Sequence, residues 1–193
     1  PPADTPADGP PAVLTAEDIA RDTAPSGAPA TPAEPTGATE PAGPDAATTP
    51  VIRPGDVLIR ALASGTGPMT RVAEERDAGA LLGPHIHLLR PDPGRLDPWF
   101  LAGHLAAGDN IAGASTGSTV VTVAAGRLRV PLLPLAEQRR HGEAFRRVRD
   151  LRARAREAAR LAEEAADLLT DGLTGGALLP PVTESERSVT DPS

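Results

Sequence analysis

Three short groups of residues in this 193-residue chain have types and spacings that could do chemistry. Gly113-Ala114-Ser115-Thr116-Gly117 matches G-x-S-x-G, the sharp turn that exposes a nucleophilic serine between a strand and a helix. The surrounding pattern predicts the reverse order, a helical turn before and a strand after. The only downstream histidine is His141, so hydrolase chemistry is set aside. His85 and His87 alternate within a strand-like run and would share one face. With no cysteine in the chain and no acidic ligand nearby in sequence, polar strand contacts explain them better than a metal. Gly65-Thr66-Gly67 lacks the third glycine of a dinucleotide loop and precedes no helix, so it reads as a turn. The aromatic residues are Trp99, Phe100 and Phe145, too few to build a base-stacking surface for single strands.

The elements that would position any site are short, with one exception. Val57–Leu62 is a short apolar strand after a Pro54-Gly55 turn, and Met69–Ala73 reads as its return. Ala80–Leu82 and His85–Arg90 add strand signals. Asp97 caps a helix that has Pro98 in its first turn and runs to about Ala107, and Asp109–Ala114 adds a helical turn. Val120–Val123 and Leu128–Leu132 read as final strands. Pro131 and Pro134 then end strand pairing, because proline has no backbone donor. From Leu135 the chain turns to Ala, Arg, Glu and Leu, strong helix formers. A helix over 136–171 would span ~54 Å at about 1.5 Å per residue. The fold class this predicts is α+β, a small mostly antiparallel domain followed by one long helix.

Composition limits what folds. Residues 1–50 are rich in Pro, Ala, Thr, Gly and acids and carry eight acids against one Arg. They read as a disordered linker, because they offer too little apolar surface to offset ordering entropy. Thr15-Ala16-Glu17-Asp18 nevertheless resembles a helix-starting box for a short helix near Thr15–Arg21. The expected division is linker 1–50, domain 51–135, helix 136–172 and flexible tail 173–193. The net charge of −7 is misleading, since residues 51–171 hold 17 Arg against 15 acids and the excess acid lies in the two ends. Lysine is absent. No run approaches the length of a membrane span and no signal-peptide pattern appears, so a cytoplasmic location is expected. A start at Pro1 fits a processed chain or a piece of a longer one.

The junction Val130-Pro131-Leu132-Leu133-Pro134-Leu135-Ala136-Glu137-Gln138, leading into a long helix, resembles the end of a target-recognition domain. Such domains occur in specificity subunits of type I restriction–modification systems and at the C-terminus of adenine-specific DNA methyltransferases. The family pattern is roughly I-P-L-P-P-L-x-E-Q, with Leu133 here where a second proline is common. Gly55-Asp56-Val57-Leu58-Ile59 is similar to the family's opening strand G-D-I-L-I. Leu96-Asp97-Pro98-Trp99-Phe100-Leu101 is similar to its L-x-P-x-Y-L helix start, and Gly117-Ser118-Thr119 to its small-residue turn. The resemblance covers about residues 51–175. It implies reading of duplex DNA in service of an adenine methyltransferase. S-adenosylmethionine would belong to a catalytic partner or a further domain, with no cofactor in this chain.

Loops projecting into the major groove would then carry base-reading side chains, with Arg60, Thr66, Arg71, Arg76, Thr116 and Ser118 as candidates. Arg60 and Arg71 read equally well as solvated strand residues. Asp97-Pro98-Trp99-Phe100 is also similar to the (N/D)-P-P-(Y/F) motif of amino-methyltransferases, but its second proline is missing and no methyl-donor glycine loop precedes it. A capped helix start accounts for it, and no catalysis is assigned to this chain. On the long helix, Val148, Leu151, Ala155, Ala158, Ala162, Ala165 and Leu169 recur at three and four residues and form one stripe. That stripe packs either on its own domain or on a partner helix: a methyltransferase subunit or domain, a second copy, or a second recognition domain. Two rival readings remain at this point. One is the C-terminal part of a single-chain adenine methyltransferase. The other is a helical scaffold or adaptor that binds no DNA.

Overall fold

The computed structural model describes residues 10–29, 49–63, 66–117 and 121–179. The architecture is α+β with one long C-terminal helix, as its sequence predicts. The elements are β1 (Val13–Leu14), α1 (Ala16–Arg21), β2 (Val57–Arg60), β3 (Thr70–Val72), β4 (Leu81–Leu82), β5 (Ile86–Leu89), α2 (Pro98–Leu105), α3 (Gly108–Ala114), β6 (Ser115–Thr116), β7 (Thr122–Val123) and α4 (Leu135–Thr174). The chain divides into two compact units, one ending at Arg147 and one beginning at Val148.

The first unit is built around β2. Its four residues, Val-Leu-Ile-Arg, are all buried, and it pairs antiparallel with β3 on one side and β5 on the other. Successive strand side chains point to opposite faces, so both faces of this small sheet need a cover. Val57 and Ile59 pack with Val72, Leu101, Ala102 and Leu105, an apolar layer supplied by β3 and α2. Leu58 packs on the other face with Leu14, Ile19, Ile52, Ala73, Ala80 and Ile86. Leu14 and Ile19 come from the segment whose composition reads as linker.

That segment corrects the expected boundary at residue 50. Pro10–Pro29 belongs to the fold: β1 pairs parallel with β4, and Leu14 and Ile19 are fully buried. The Thr15 box closes as its residues suggest. Thr15 Oγ1 accepts from Asp18 N at 3.1 Å, and Asp18 Oδ2 accepts from Thr15 N at 2.8 Å. Asp18 also accepts from the Ser26 hydroxyl at 2.6 Å and from Thr23. Burial alone would raise the Asp18 pKa, and the Ser26 and Thr15 hydrogen bonds more than offset it, holding the carboxyl below its ordinary value.

A second buried carboxylate locks the start of β2. Pro54 and Gly55, with Gly55 at φ 87, form the turn whose Asp56 N–H returns to Arg53 O at 3.0 Å. Only a residue free to take positive φ fits that turn position. Asp56 is 1% exposed and is clasped by Arg90 Nε and Nη2, each at 2.7 Å, which ties the start of β2 to the end of β5.

The expected last strand over Leu128–Leu132 is absent. Ala125–Arg127 is a single 3-10 turn, and Leu128 and Val130 pack on the α2-side layer from an extended, unpaired segment. Asn110 takes the place of a neighbouring strand. Its Nδ2 donates to Arg129 O at 2.8 Å and its Oδ1 accepts from Arg129 N at 2.9 Å. One side-chain amide thus satisfies both backbone groups that a ladder would have satisfied.

Candidate nucleic-acid interface and the helix junction

The β2 strand continues past Arg60 into contact with the last hairpin. Ala63 N donates to Val121 O at 2.9 Å, Val123 N donates to Ala61 O at 2.7 Å, and Leu62 bridges Thr122. Antiparallel β6 and β7 therefore sit beside the β2–β3 loop at one end of the sheet. Thr66 and Thr116 are both exposed at this end. His87 meets the hairpin through its Nε2, 3.2 Å from Val123 O. His85 lies in the turn before β5 at φ 59, so the two imidazoles do not share a strand face. Among the described residues, no three His, Asp or Glu side chains gather as a metal site.

The other candidates lie elsewhere. Arg60 and Arg71 are each 5% exposed, so neither presents a guanidinium to a duplex, and neither is the solvated strand residue that its sequence allowed. Arg71 is paired with Leu58 on the face that α1 covers. There it binds Asp77, at 2.6 Å from Nη2, and donates from Nη1 to Thr23 O at 2.5 Å. Burial pushes its pKa down, against the attraction of Asp77. Arg76 is half-exposed, paired with Asp22 at 2.7 Å and with Glu74 at 3.5 Å. It follows β3, which runs antiparallel to β2, so it lies at the opposite end of the sheet from Thr66. Ser118 lies outside the described residues. The tempting Ser115 follows α3 and opens β6, and its hydroxyl donates back to Ile111 O at 2.7 Å. A helix before and a strand after is the order expected from its neighbours, and it is the wrong order for a nucleophile elbow.

The exit from the domain is built by residues whose role the sequence only hinted at. Asp97 caps α2 by accepting from Phe100 N at 2.8 Å, and Pro98 takes the first helical position. Gln138, 7% exposed in the first turns of α4, accepts from Asp97 N at 3.0 Å and donates to Leu133 O at 2.8 Å. Pro134 O receives the first α4 hydrogen bonds, from Glu137 and Gln138. One glutamine thus joins the α2 cap, the proline elbow and the α4 start. Two glycines permit the close approach of these helices. A Cβ on Gly142 would collide with Asp97 Oδ1, and one on Gly103 would collide with the Phe145 ring. A glycine inside a helix costs about 1 kcal/mol against alanine, and that cost in the sequence is the signal that pointed here.

His104 is enclosed at this junction. Its ring meets Phe100 edge-on at 4.5 Å and Phe145 at 5.4 Å, and His141 lies 6.3 Å away. Its Nε2 is buried without a hydrogen-bond partner. Desolvation, helped by His141, lowers its pKa below the ordinary 6.5. The unfolded chain therefore takes up this proton first as pH falls. His104 makes no difference to stability well above pH 6.5, and stability is lost progressively below it. Thermal melts from pH 7.5 to 5 are expected to show this decline, and His104→Phe is expected to flatten the part that it contributes.

Compared with known proteins, the chain matches no family model and no curated protein to a significant degree.

Proposed function

We propose that the first unit reads a short double-stranded DNA sequence on behalf of an adenine methyltransferase, in the manner of a type I specificity module. The observation that carries this reading is the paired end of the sheet. There the β2–β3 loop and the β6–β7 hairpin are hydrogen-bonded into one protruding edge bearing Thr66 and Thr116. Threonine hydroxyls both donate and accept, so they suit base edges in a groove. Segments 61–69 and 115–124 contain no Arg, so this edge reads bases without supplying the phosphate contacts that dominate affinity. The domain therefore binds weakly alone and relies on a catalytic partner to hold the duplex. That partner, as a separate subunit or as a further domain of the same polypeptide, brings S-adenosylmethionine and the chemistry. Gln138 and the proline elbow support the reading by rooting the start of α4 firmly in the recognition domain. No helix among the described residues is long and apolar enough to cross a membrane.

The test is selection of duplexes from a random pool by the full chain at low salt, together with mapping of methylated adenines in cells with and without the gene. One enriched motif, matching adenines whose methylation depends on the gene, is the expected result. Thr66→Ala and Thr116→Ala should relax that motif by roughly 10-fold, since a base contact is worth about 1–3 kcal/mol. Failure to enrich any duplex, with an unchanged methylation map, would overturn the proposal.

A further inference from the structure

The second unit carries a surface that the DNA-reading proposal does not explain. Along α4, Val148, Leu151, Ala155, Ala158, Ala162, Ala165 and Leu169 alternate at three and four residues without a break. A strict seven-residue repeat of this kind forms a seam for a supercoiled partner helix, not a face for a globular core. The seam is exposed: Leu151 is 68% and Leu169 57% accessible, and Leu168 beside them 73%. The identity of its cover is written in the charges. From Val148 to Arg156 there are four Arg and one Asp, whereas from Glu157 to Thr174 there are five acids and one Arg. The last turn carries acid and no base, the reverse of what the helix dipole favours. The polarity is therefore not explained by the stability of the lone helix.

We infer that a second copy of this chain covers the seam, with its α4 running antiparallel. In that arrangement each basic half lies along the other copy's acidic half, whereas a parallel pair would set like charge against like. The two-fold relation also closes the assembly at two copies. Antiparallel layers pair the two repeat positions with each other. The register that buries most sets Leu151 of one copy against Leu169 of the other, Ala155 against Ala165, and Ala158 against Ala162. Val148 then meets Gly172, over which the chain's own Leu178 already folds. Alanine layers in the middle let the helices approach closely, and the leucine layers at the two ends supply most of the apolar burial. Charge also places Arg149 level with Asp171 and Arg156 level with Glu164 across the pair. This inference rests on the seam and not on DNA reading, so either can fail without the other.

The chain has no cysteine, so introduced cysteines report the geometry directly. Leu151→Cys and Leu169→Cys variants of the full chain, mixed under mild oxidation, are expected to give a covalent heterodimer. Neither variant alone should cross-link, because like positions would lie about 27 Å apart along the pair at ~1.5 Å per residue, beyond disulfide reach. Sedimentation of the native chain should show a monomer–dimer equilibrium, and Ala158→Glu should abolish it while circular dichroism reports the same helix content. Cross-linking of Leu151→Cys alone, or a strictly monomeric native chain at about 0.5 mM, far above a micromolar dissociation constant, would overturn the inference.

Discussion

Asp77→Ala is expected to destabilise the first unit by about 3–5 kcal/mol, the usual result of removing one partner from a buried ion pair. Asp77 is fully buried and the Arg71 side chain is 3% exposed. The two make a forked contact, Nη2 to Oδ1 at 2.6 Å and Nε to Oδ2 at 3.2 Å. Asp77 Oδ2 also accepts from Glu74 N, closing the turn after β3. Without the carboxylate, a guanidinium stays buried between the sheet and α1 with only the carbonyls of Asp18 and Thr23 as acceptors. For a small domain whose whole stability is about 5–15 kcal/mol, that loss brings unfolding close to ordinary temperatures. Urea denaturation should show the shift in midpoint. Arg71→Leu combined with Asp77→Leu should recover most of it, because a well-packed apolar pair avoids the desolvation cost altogether. If Asp77→Ala melts within a degree or two of the native chain, the clasp is not holding α1 to the sheet.

Phe100→Ala is expected to cost a similar amount, about 3–5 kcal/mol, through lost burial and the cavity left behind. Phe100 is fully buried in α2, with His104 against its ring and His141 of α4 6.2 Å away. Its effect should be local as well as global. With the ring gone, α2 loses its contact with the start of α4, so backbone hydrogen exchange over residues 138–147 should quicken more than exchange in β2. Phe100→Leu keeps most of the volume and should cost under about 1.5 kcal/mol. Uniform loss of protection across the unit would show that the junction has no separate identity.

Much of the candidate site was legible before any fold was known, but only in outline. The Asp97 cap, Pro98 in the first helical turn and the proline elbow were readable because each acts through bonds to residues nearby in sequence. Gln138 was visible as a letter in a pattern, and its function was not, since its partner Asp97 is 41 residues away. The base-reading candidates suffered most. An Arg in a strand reads as a solvated or ligand-facing cation until something is known to cover that face. Arg71 is covered by a segment 48 residues upstream, with Thr23 O as its acceptor.

The apolar run Val57-Leu58-Ile59 already demanded cover on both sides, because a strand without alternation cannot leave a face in water. Its hydropathy said that two covers exist, while only packing disclosed that one is α2 and the other the Pro- and Ala-rich segment around Leu14 and Ile19. Turns, caps, helix extent and the seven-residue seam follow from local sterics and periodicity, which act over a few residues and leave their mark in the order of letters. Burial of Arg60 and Arg71, the meeting of Thr66 with the Thr116 hairpin, and the placement of Arg76 at the far end of the sheet follow from strand pairing and layer contacts between distant segments. Those depend on the summed free energy of the whole packed unit, and no single stretch of the chain encodes them.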